Sequence, residues 1–595
     1  MPFIAPARDL AFALTELAGI DRLVETGAFP DYDADVMQAV LEGAAALADG
    51  VLAPINRQGD KIGARIENGK VHAAPGFAEA YQQFAQGGWN GLAADPQFGG
   101  QGLPKALELA VFEMIHAANM AFGLCPLLTQ GAIEALSEHG SDEQKALYLP
   151  KMIAGEWTGT MNLTEPQAGS DLSLVRATAA PDGAGGYLIS GQKIYITWGD
   201  HDAAENIVHL VLARLPDAPE GVKGISLFLA PKYLPTADGQ PGEANALRAG
   251  GIEHKLGIHA SPTCTMLFEG ARGWLVGQPN QGLAHMFTMM NAARLNVGMQ
   301  GVAIGERAYQ QALSYALERR QGRTVFSHEA PGLIFDHPDV RRSLMIMKAR
   351  IEAARAICLY TGVSADLAKH AATDELREAA RLRQELLVPI AKAWSTDMGV
   401  DVASMGVQIH GGMGFVEETG AAQHYRDARI APIYEGTNGV QAIDLMGRKL
   451  GMAGGEAVRA LLADIRPTAQ ELMTHADEWL HAPGRRLADA ADAAERASAW
   501  LMERKGHAQP DALAGATAYL KLMGDTVGGW MLCRAALIAS ARMASGEGDR
   551  DRWRTRIGLA RVYGEQVLAT VSGQEAAVSM GALDLAAATP ESLGA

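Results

Sequence analysis

Apolar residues recur three and four positions apart over residues 33–49 and 105–122, and both stretches are rich in Ala, Leu and Met. That spacing puts the apolar side chains on one helical face, so the first part of the chain reads as helix nearly throughout. Between the two stretches, Asp95-Pro96-Gln97-Phe98-Gly99-Gly100-Gln101-Gly102 carries turn chemistry and must be loop. The pattern changes near residue 157. From there to about 280 come short β-rich runs, among them Tyr187–Ile189, Lys193–Thr197, Ile207–Ala213, Ile225–Ala230 and Thr265–Phe268, separated by Gly, Pro and Asp. Such a series predicts a small antiparallel sandwich or barrel. Helical spacing resumes at 282, where Leu283, Met286, Phe287 and Met290 fall at i, i+3, i+4 and i+7, and it continues to about 450. Gly451-Met452-Ala453-Gly454-Gly455 is the expected hinge to a last set of Ala-rich helices, broken at Ala482-Pro483-Gly484, around Pro510 and at Ser545-Gly546-Glu547-Gly548. The fold class is α+β and multi-domain.

At 595 residues the chain exceeds what one hydrophobic core serves, and three or four domains are expected. Hydrophobic residues at 48% and charged residues at 20% exclude wholesale disorder. The 51 basic and 68 acidic residues give a net charge of −17, which offers no general attraction to nucleic acid or an anionic membrane. An anionic ligand would need a local basic cluster. Cys125, Cys264, Cys358 and Cys533 are far apart and form no CxxC pair, so reduced, buried thiols are expected and a metal site is not. The N-terminus lacks a basic region followed by an apolar stretch, and no apolar run reaches the roughly 18 residues of a membrane span. The expected location is cytoplasmic.

Four segments carry chemistry that packing alone does not explain. Met161-Asn162-Leu163-Thr164-Glu165-Pro166-Gln167-Ala168-Gly169-Ser170-Asp171 offers small and hydroxylated residues that let backbone amides approach a bound group. Lys193-Ile194-Tyr195-Ile196-Thr197-Trp198-Gly199 is a strand whose aromatics suit either a planar ligand or the core. Gln408-Ile409-His410-Gly411-Gly412-Met413-Gly414-Phe415 closes a long helix with glycines that suit either a cap or a surface for a dinucleotide; no GxGxxG follows a strand there. In Tyr434-Glu435-Gly436-Thr437-Asn438-Gly439 one carboxylate sits among small residues. It reads either as a solvated helix-end glutamate or as a base whose pKa rises when a ligand desolvates it.

Together, in this order and with Glu435 standing 27 positions after Gln408, these segments resemble the acyl-CoA dehydrogenase family. The resemblance runs from roughly residue 80 to 450 and includes Lys255-Leu256-Gly257-Ile258-His259-Ala260-Ser261-Pro262-Thr263 and Tyr315-Ala316-Leu317-Glu318-Arg319-Arg320-Gln321-Gly322. It implies an N-terminal extension over 1–36, a helical domain over 37–157, a middle β domain over 158–280 and a bundle bearing the base over 281–450. A C-terminal helical extension over 456–595 resembles that of the long members, whose substrates include 3-methylmercaptopropionyl-CoA.

The resemblance further implies FAD as cofactor. Leu163, Thr164, Gly169, Ser170, Tyr195, Thr197 and Thr437 would line it within one subunit. Arg319, Gln321, His337, Gln408, Gly411 and Gly412 would reach the adenosine and pyrophosphate of a neighbour's FAD. Ser170, Asn291, Arg294 and Gly436 would contact acyl-CoA, and Glu435 would be the catalytic base. Electron-transfer flavoprotein as acceptor and a homodimer are expected, because the extension can occupy the bundle face on which shorter members form a dimer of dimers. Ala293 stands where some members place the base, which leaves Glu435 for that role. Gly439, Tyr195 and Gly322 stand where Gln, Trp and Phe are usual, and about ten extra residues precede His337. Fatty acyl-CoA dehydrogenases of other chain lengths, an acyl-CoA oxidase and a nucleic-acid-associated alkylation-response relative are the alternatives.

Overall fold

The computed structural model describes residues 3–595, so the first two residues of the N-terminal extension lie outside it. The helix beginning at Lys105 ends at Ala118 rather than continuing to 122. Asn119 turns extended there, and its side chain accepts the Phe122 N–H at 3.1 Å to cap the next helix, Met120–His139. The part before the barrel is not wholly helical, since Arg65–Glu67 and Lys70–His72 form a two-stranded hairpin. Residues Ala34–Ile62 run as one continuous helical stretch, the one described helix long and apolar enough to cross a membrane. It packs Met37, Leu41, Ala44 and Leu47 into the common core.

The middle region is a closed ring of strands with a core of its own, including Ile189, Val211, Phe228, Met266 and Phe268. Thr263–Val276 pairs Tyr187–Thr197, which pairs Thr178–Pro181; Asn206–Arg214 follows, and Ile225–Pro231 closes the ring back onto Thr263–Val276. It is a barrel of mixed direction rather than a purely antiparallel one, because Trp157–Asn162 runs parallel to Asn206–Arg214. The two runs expected at 187–189 and 193–197 are one strand, Tyr187–Thr197. It bulges at Ile194 and Tyr195, which together oppose the single residue Thr265 of its partner, and Tyr195 takes a φ of +60° there.

Three long helices, Gly282–Glu318, Pro338–His370 and Asp374–His410, make the bundle. The first and third touch backbone to backbone. A Cβ on Gly298 would lie 2.5 Å from the Ala391 carbonyl oxygen, and one on Gly301 would lie 2.2 Å from that of Ser395. Glycine at this crossing brings Lys392, which sits at it, and Arg294, one turn before Gly298, toward a common point.

The hinge at 451–455 carries left-handed backbone at Ala453, Gly454 and Gly455. Beyond it stand helices Glu456–Met473, His481–Lys505, Gln509–Ser545 and Arg550–Gln566. Pro483 does not break a helix as expected. It occupies the third position of His481–Lys505, where a missing N–H leaves no helical bond unmade. The extension covers the bundle face: Trp394 Nε1 donates to Asp525 at 2.8 Å, and a Cβ on Gly524 would lie 2.3 Å from the Trp394 ring. All four cysteines are free and buried.

Candidate active site

Glu435 sits in the turn between helix Ala421–Ala428 and helix Asn438–Asp444 with a φ of +55°, and Gly436 follows at +82°. Left-handed backbone at a glutamate costs energy that only an over-determined surrounding sustains, and such strain gathers at functional sites. The turn is held from several sides. Asn438 N–H donates to the Pro432 carbonyl at 3.0 Å, Thr437 Oγ1 donates to the same carbonyl at 3.2 Å, and Gln441 Nε2 donates to the Gly436 carbonyl at 3.3 Å. Tyr434 O–H donates to Gln300 Oε1 on the first bundle helix. Among the described residues the backbone N–H of Glu435 has no acceptor, so it is free to donate to a ligand.

The electrostatics are those of a base. Burial pushes the Glu435 carboxyl up to about 7, while the Arg294 guanidinium and then Lys392 pull it back. Neither cation forms an ion pair with it within 4.0 Å. Arg294 is buried, donates to Asn291 Oδ1 at 3.2 Å, and lies 3.5 Å from where a Gly436 Cβ would stand. Its Nε and Gln441 Oε1 are buried without partners, which leaves polar valence for a ligand. The structure therefore brings Glu435, Gly436, Thr437, Arg294 and Asn291 together.

Leu163, Thr164, Tyr195 and Thr197 form a second group on the barrel. Ile194 N–H donates to the Thr164 carbonyl at 2.9 Å, and Lys193 Nζ donates to the Leu163 carbonyl at 3.0 Å and to Glu165 at 2.7 Å. Both members of this ion pair are buried. Glu165 also accepts the N–H groups of Arg176 and Ala177, so one carboxylate ties the two segments together. Tyr195, at φ +60°, is 61% exposed, while its neighbour Trp198 goes into the core. Gly169 and Ser170 are exposed in the connecting loop, and nothing lies within 4 Å of a Cβ placed on Gly169.

A third group gathers where the first and third bundle helices end. His410 stacks on Tyr315 at 4.5 Å, joining the Arg319 end to the Gln408 end. His337 Nε2 bonds the Gln321 carbonyl at 2.9 Å. Arg319, Gln321, Gln408, Gly411 and Gly412 are exposed, and nothing lies within 4 Å of a Cβ placed on either glycine. The extra residues before His337 form a loop whose Phe326, like Phe335, holds its ring 4.4 Å from the Arg341 guanidinium.

Sequence reasoning missed Lys392, Asn438, Lys193 and Glu165 as supports. A lone lysine within the apolar run Leu386–Trp394 was the available signal for the first.

Four family models match the chain in order: acyl-CoA dehydrogenase N-terminal domain over 36–156, middle domain over 160–271, C-terminal domain over 280–450, and an acetyl-CoA dehydrogenase C-terminal-like domain over 461–589. The chain belongs to the acyl-CoA dehydrogenase family, FAD-dependent oxidoreductases of acyl-CoA. A curated relative, 3-methylmercaptopropionyl-CoA dehydrogenase of Ruegeria pomeroyi, is 47% identical over 97% of this chain and 98% of its own. Among solved structures, ACDH-11 of Caenorhabditis elegans in complex with C11-CoA shares the fold at a TM-score of 0.77, with 18% identity, over 95% of this chain and 92% of that one. An acyl-CoA dehydrogenase from Bacillus anthracis complexed with FAD does so at 0.74, with 20% identity, over 92% and 88%.

Proposed function

We propose that this chain binds FAD and oxidises an acyl-CoA thioester to the trans-2-enoyl-CoA with Glu435 as base, and that its substrate is 3-methylmercaptopropionyl-CoA. The observation that carries the reading is the isolated, strained Glu435 with its free backbone N–H. The residues fit the cofactor. Exposed Tyr195 supplies an aromatic ledge, Thr164, Thr197 and Thr437 supply hydroxyls, and Gly411 and Gly412 leave room for a dinucleotide beside Arg319, whose planar donors suit pyrophosphate. Bound FAD would supply the acceptor for the β-hydrogen as hydride.

The chain's own residues do the rest. The Glu435 N–H donates to the thioester oxygen where negative charge develops. The Glu435 carboxylate takes the α-proton, and its raised pKa matches the task at neutral pH. Arg294, fixed by Asn291, faces the carboxylate and steadies its charge before the proton arrives.

Similarity to the Ruegeria pomeroyi enzyme over nearly the whole of both chains supports the substrate. A homodimer is supported by the C-terminal helices on the bundle face and by exposed Met413, Phe415 and Ile433 beside the Gln408 segment and the base turn. Electron-transfer flavoprotein is the proposed acceptor, and the cytoplasm the proposed location.

Anaerobic titration of the purified protein with a panel of acyl-CoAs, followed by flavin absorbance, tests the reading. Bleaching at one equivalent of 3-methylmercaptopropionyl-CoA, ahead of straight-chain acyl-CoAs, is expected. Bleaching only by longer fatty acyl-CoAs would refute the substrate, and stoichiometric peroxide in air would make the enzyme an oxidase.

A further inference from the structure

Lys392 lies at the middle of the third bundle helix, fully buried in Leu386-Leu387-Val388-Pro389-Ile390-Ala391-Lys392-Ala393-Trp394. A buried ammonium is costly unless compensated, and among the described residues no carboxylate pairs with it within 4.0 Å. Its one hydrogen-bond partner is Asn438 Oδ1, at 2.8 Å.

That bond has a directional consequence. An ammonium only donates, so it dictates which way the Asn438 amide faces. The amide nitrogen is left to donate to the Ala393 carbonyl at 3.1 Å, Thr396 Oγ1 at 3.0 Å and Asp397 at 2.8 Å. Asn438 opens the helix that follows the Glu435 turn, three residues from the base. The chain thus spends a buried charge on fixing the residue that anchors that turn.

We propose that Lys392 is a positioning residue for Glu435: it clamps the turn through Asn438 and presents to the carboxylate a cation that is not neutralised by direct pairing. The proposal rests on the reading of Glu435 as the base. The groups around Lys392 are Arg294 on the first bundle helix, Glu435 on the turn, and Asp397 one turn along its own helix with Arg429 beyond. Cys358 of the second bundle helix meets Ser395, and Asp525 with Lys521 of the extension stands behind Trp394. The two carboxylates favour the charged lysine while burial and Arg294 oppose it, so the ammonium is pushed down to about 7.

The test uses the flavin-loaded enzyme and its K392M, K392R, N438A and E435Q variants. Flavin reduction by saturating acyl-CoA in single turnovers is measured across pH 5.5–9, with acyl-CoA affinity measured separately by calorimetry. In K392M the limiting rate is expected to fall about tenfold, and the midpoint of the pH profile to rise by about one unit, because a cation that stabilised the carboxylate is gone. Affinity is expected to stay within about twofold, since lysine touches the base turn and not the substrate. K392R should restore most of the midpoint. N438A keeps the lysine and loses the clamp, so its limiting rate should fall with little midpoint change. It also provides the test should K392M fail to fold. A native rate and native pH profile in K392M would overturn the proposal, as would a native rate in N438A. If E435Q itself reduces flavin at the native rate, the assignment of the base fails. If E435Q is slow while K392M titrates like the native enzyme, only the role of Lys392 fails.

Discussion

Two of the clusters of buried charge in this molecule differ in how their members meet. Where the N-terminal segment, the bundle and the C-terminal helices meet, Arg355 donates to Glu113 and Glu306, each at 2.9 Å, and Lys348 reaches Asp9 at 2.8 Å. Arg556 spans Asp9 at 3.1 Å and Glu352 at 2.8 Å. Around Glu435, by contrast, Arg294 and Lys392 face the carboxylate without touching it. The consequences differ. In the first cluster Lys348, Arg355 and Arg556 hold the Asp9 carboxyl well below its usual range against the pull of burial, and Lys348 and Arg355 lower Glu306, although at Glu113 burial outweighs Arg355 and raises the carboxyl. In the second, burial wins and the carboxyl rises to about 7. Charges that are paired directly serve as struts between domains, whereas one kept near cations but out of reach of them stays able to accept a proton.

This contrast is open to being broken, and the largest effect belongs to the struts. Arg355→Met leaves Glu113 and part of Glu306 uncompensated in the core, and unfolding should become easier by roughly 3–5 kcal/mol. Thermal or urea unfolding measures it. Replacing Glu113 and Glu306 with Leu in the same chain should recover much of the loss, because no orphaned charge then remains. A stable Arg355→Met single variant would show that the junction is not held by these pairs. The next effect concerns pH. Glu435 acts only when ionised, and its pKa is raised, so kcat/KM should be half-maximal near pH 7. It should level off above that and fall about tenfold per unit below, in proportion to the ionised fraction. A profile flat down to pH 5 would mean that the carboxylate is paired after all.

Much of this was legible in the sequence because short segments had to carry it. The run around Glu435, the glycines after Gln408 and the loop from Leu163 to Ser170 each combine residue types that packing does not require. The helix–strand–helix order followed from periodicity. What escaped was set by tertiary contact. Tyr187–Thr197 is one strand because Gly191, at φ +146°, carries the chain through a stretch that reads as a turn. Pro483 reads as a breaker until its place in a first helical turn is known. Lys392 lies 43 residues before Glu435 in sequence and meets its turn only through the tertiary bond from the third bundle helix to Asn438. The Lys193–Glu165 pair spans 28 residues and is visible only once the barrel brings strand and loop together.

The central claim is that Glu435 is the group that accepts the α-proton. Its most direct test is anaerobic, single-turnover flavin reduction in Glu435→Gln, which keeps shape and hydrogen bonding but removes the base. The variant should bind acyl-CoA with nearly native affinity and bleach the flavin at least about a hundredfold more slowly, as expected for loss of a general base. Bleaching at a near-native rate would contradict the account and place the base elsewhere.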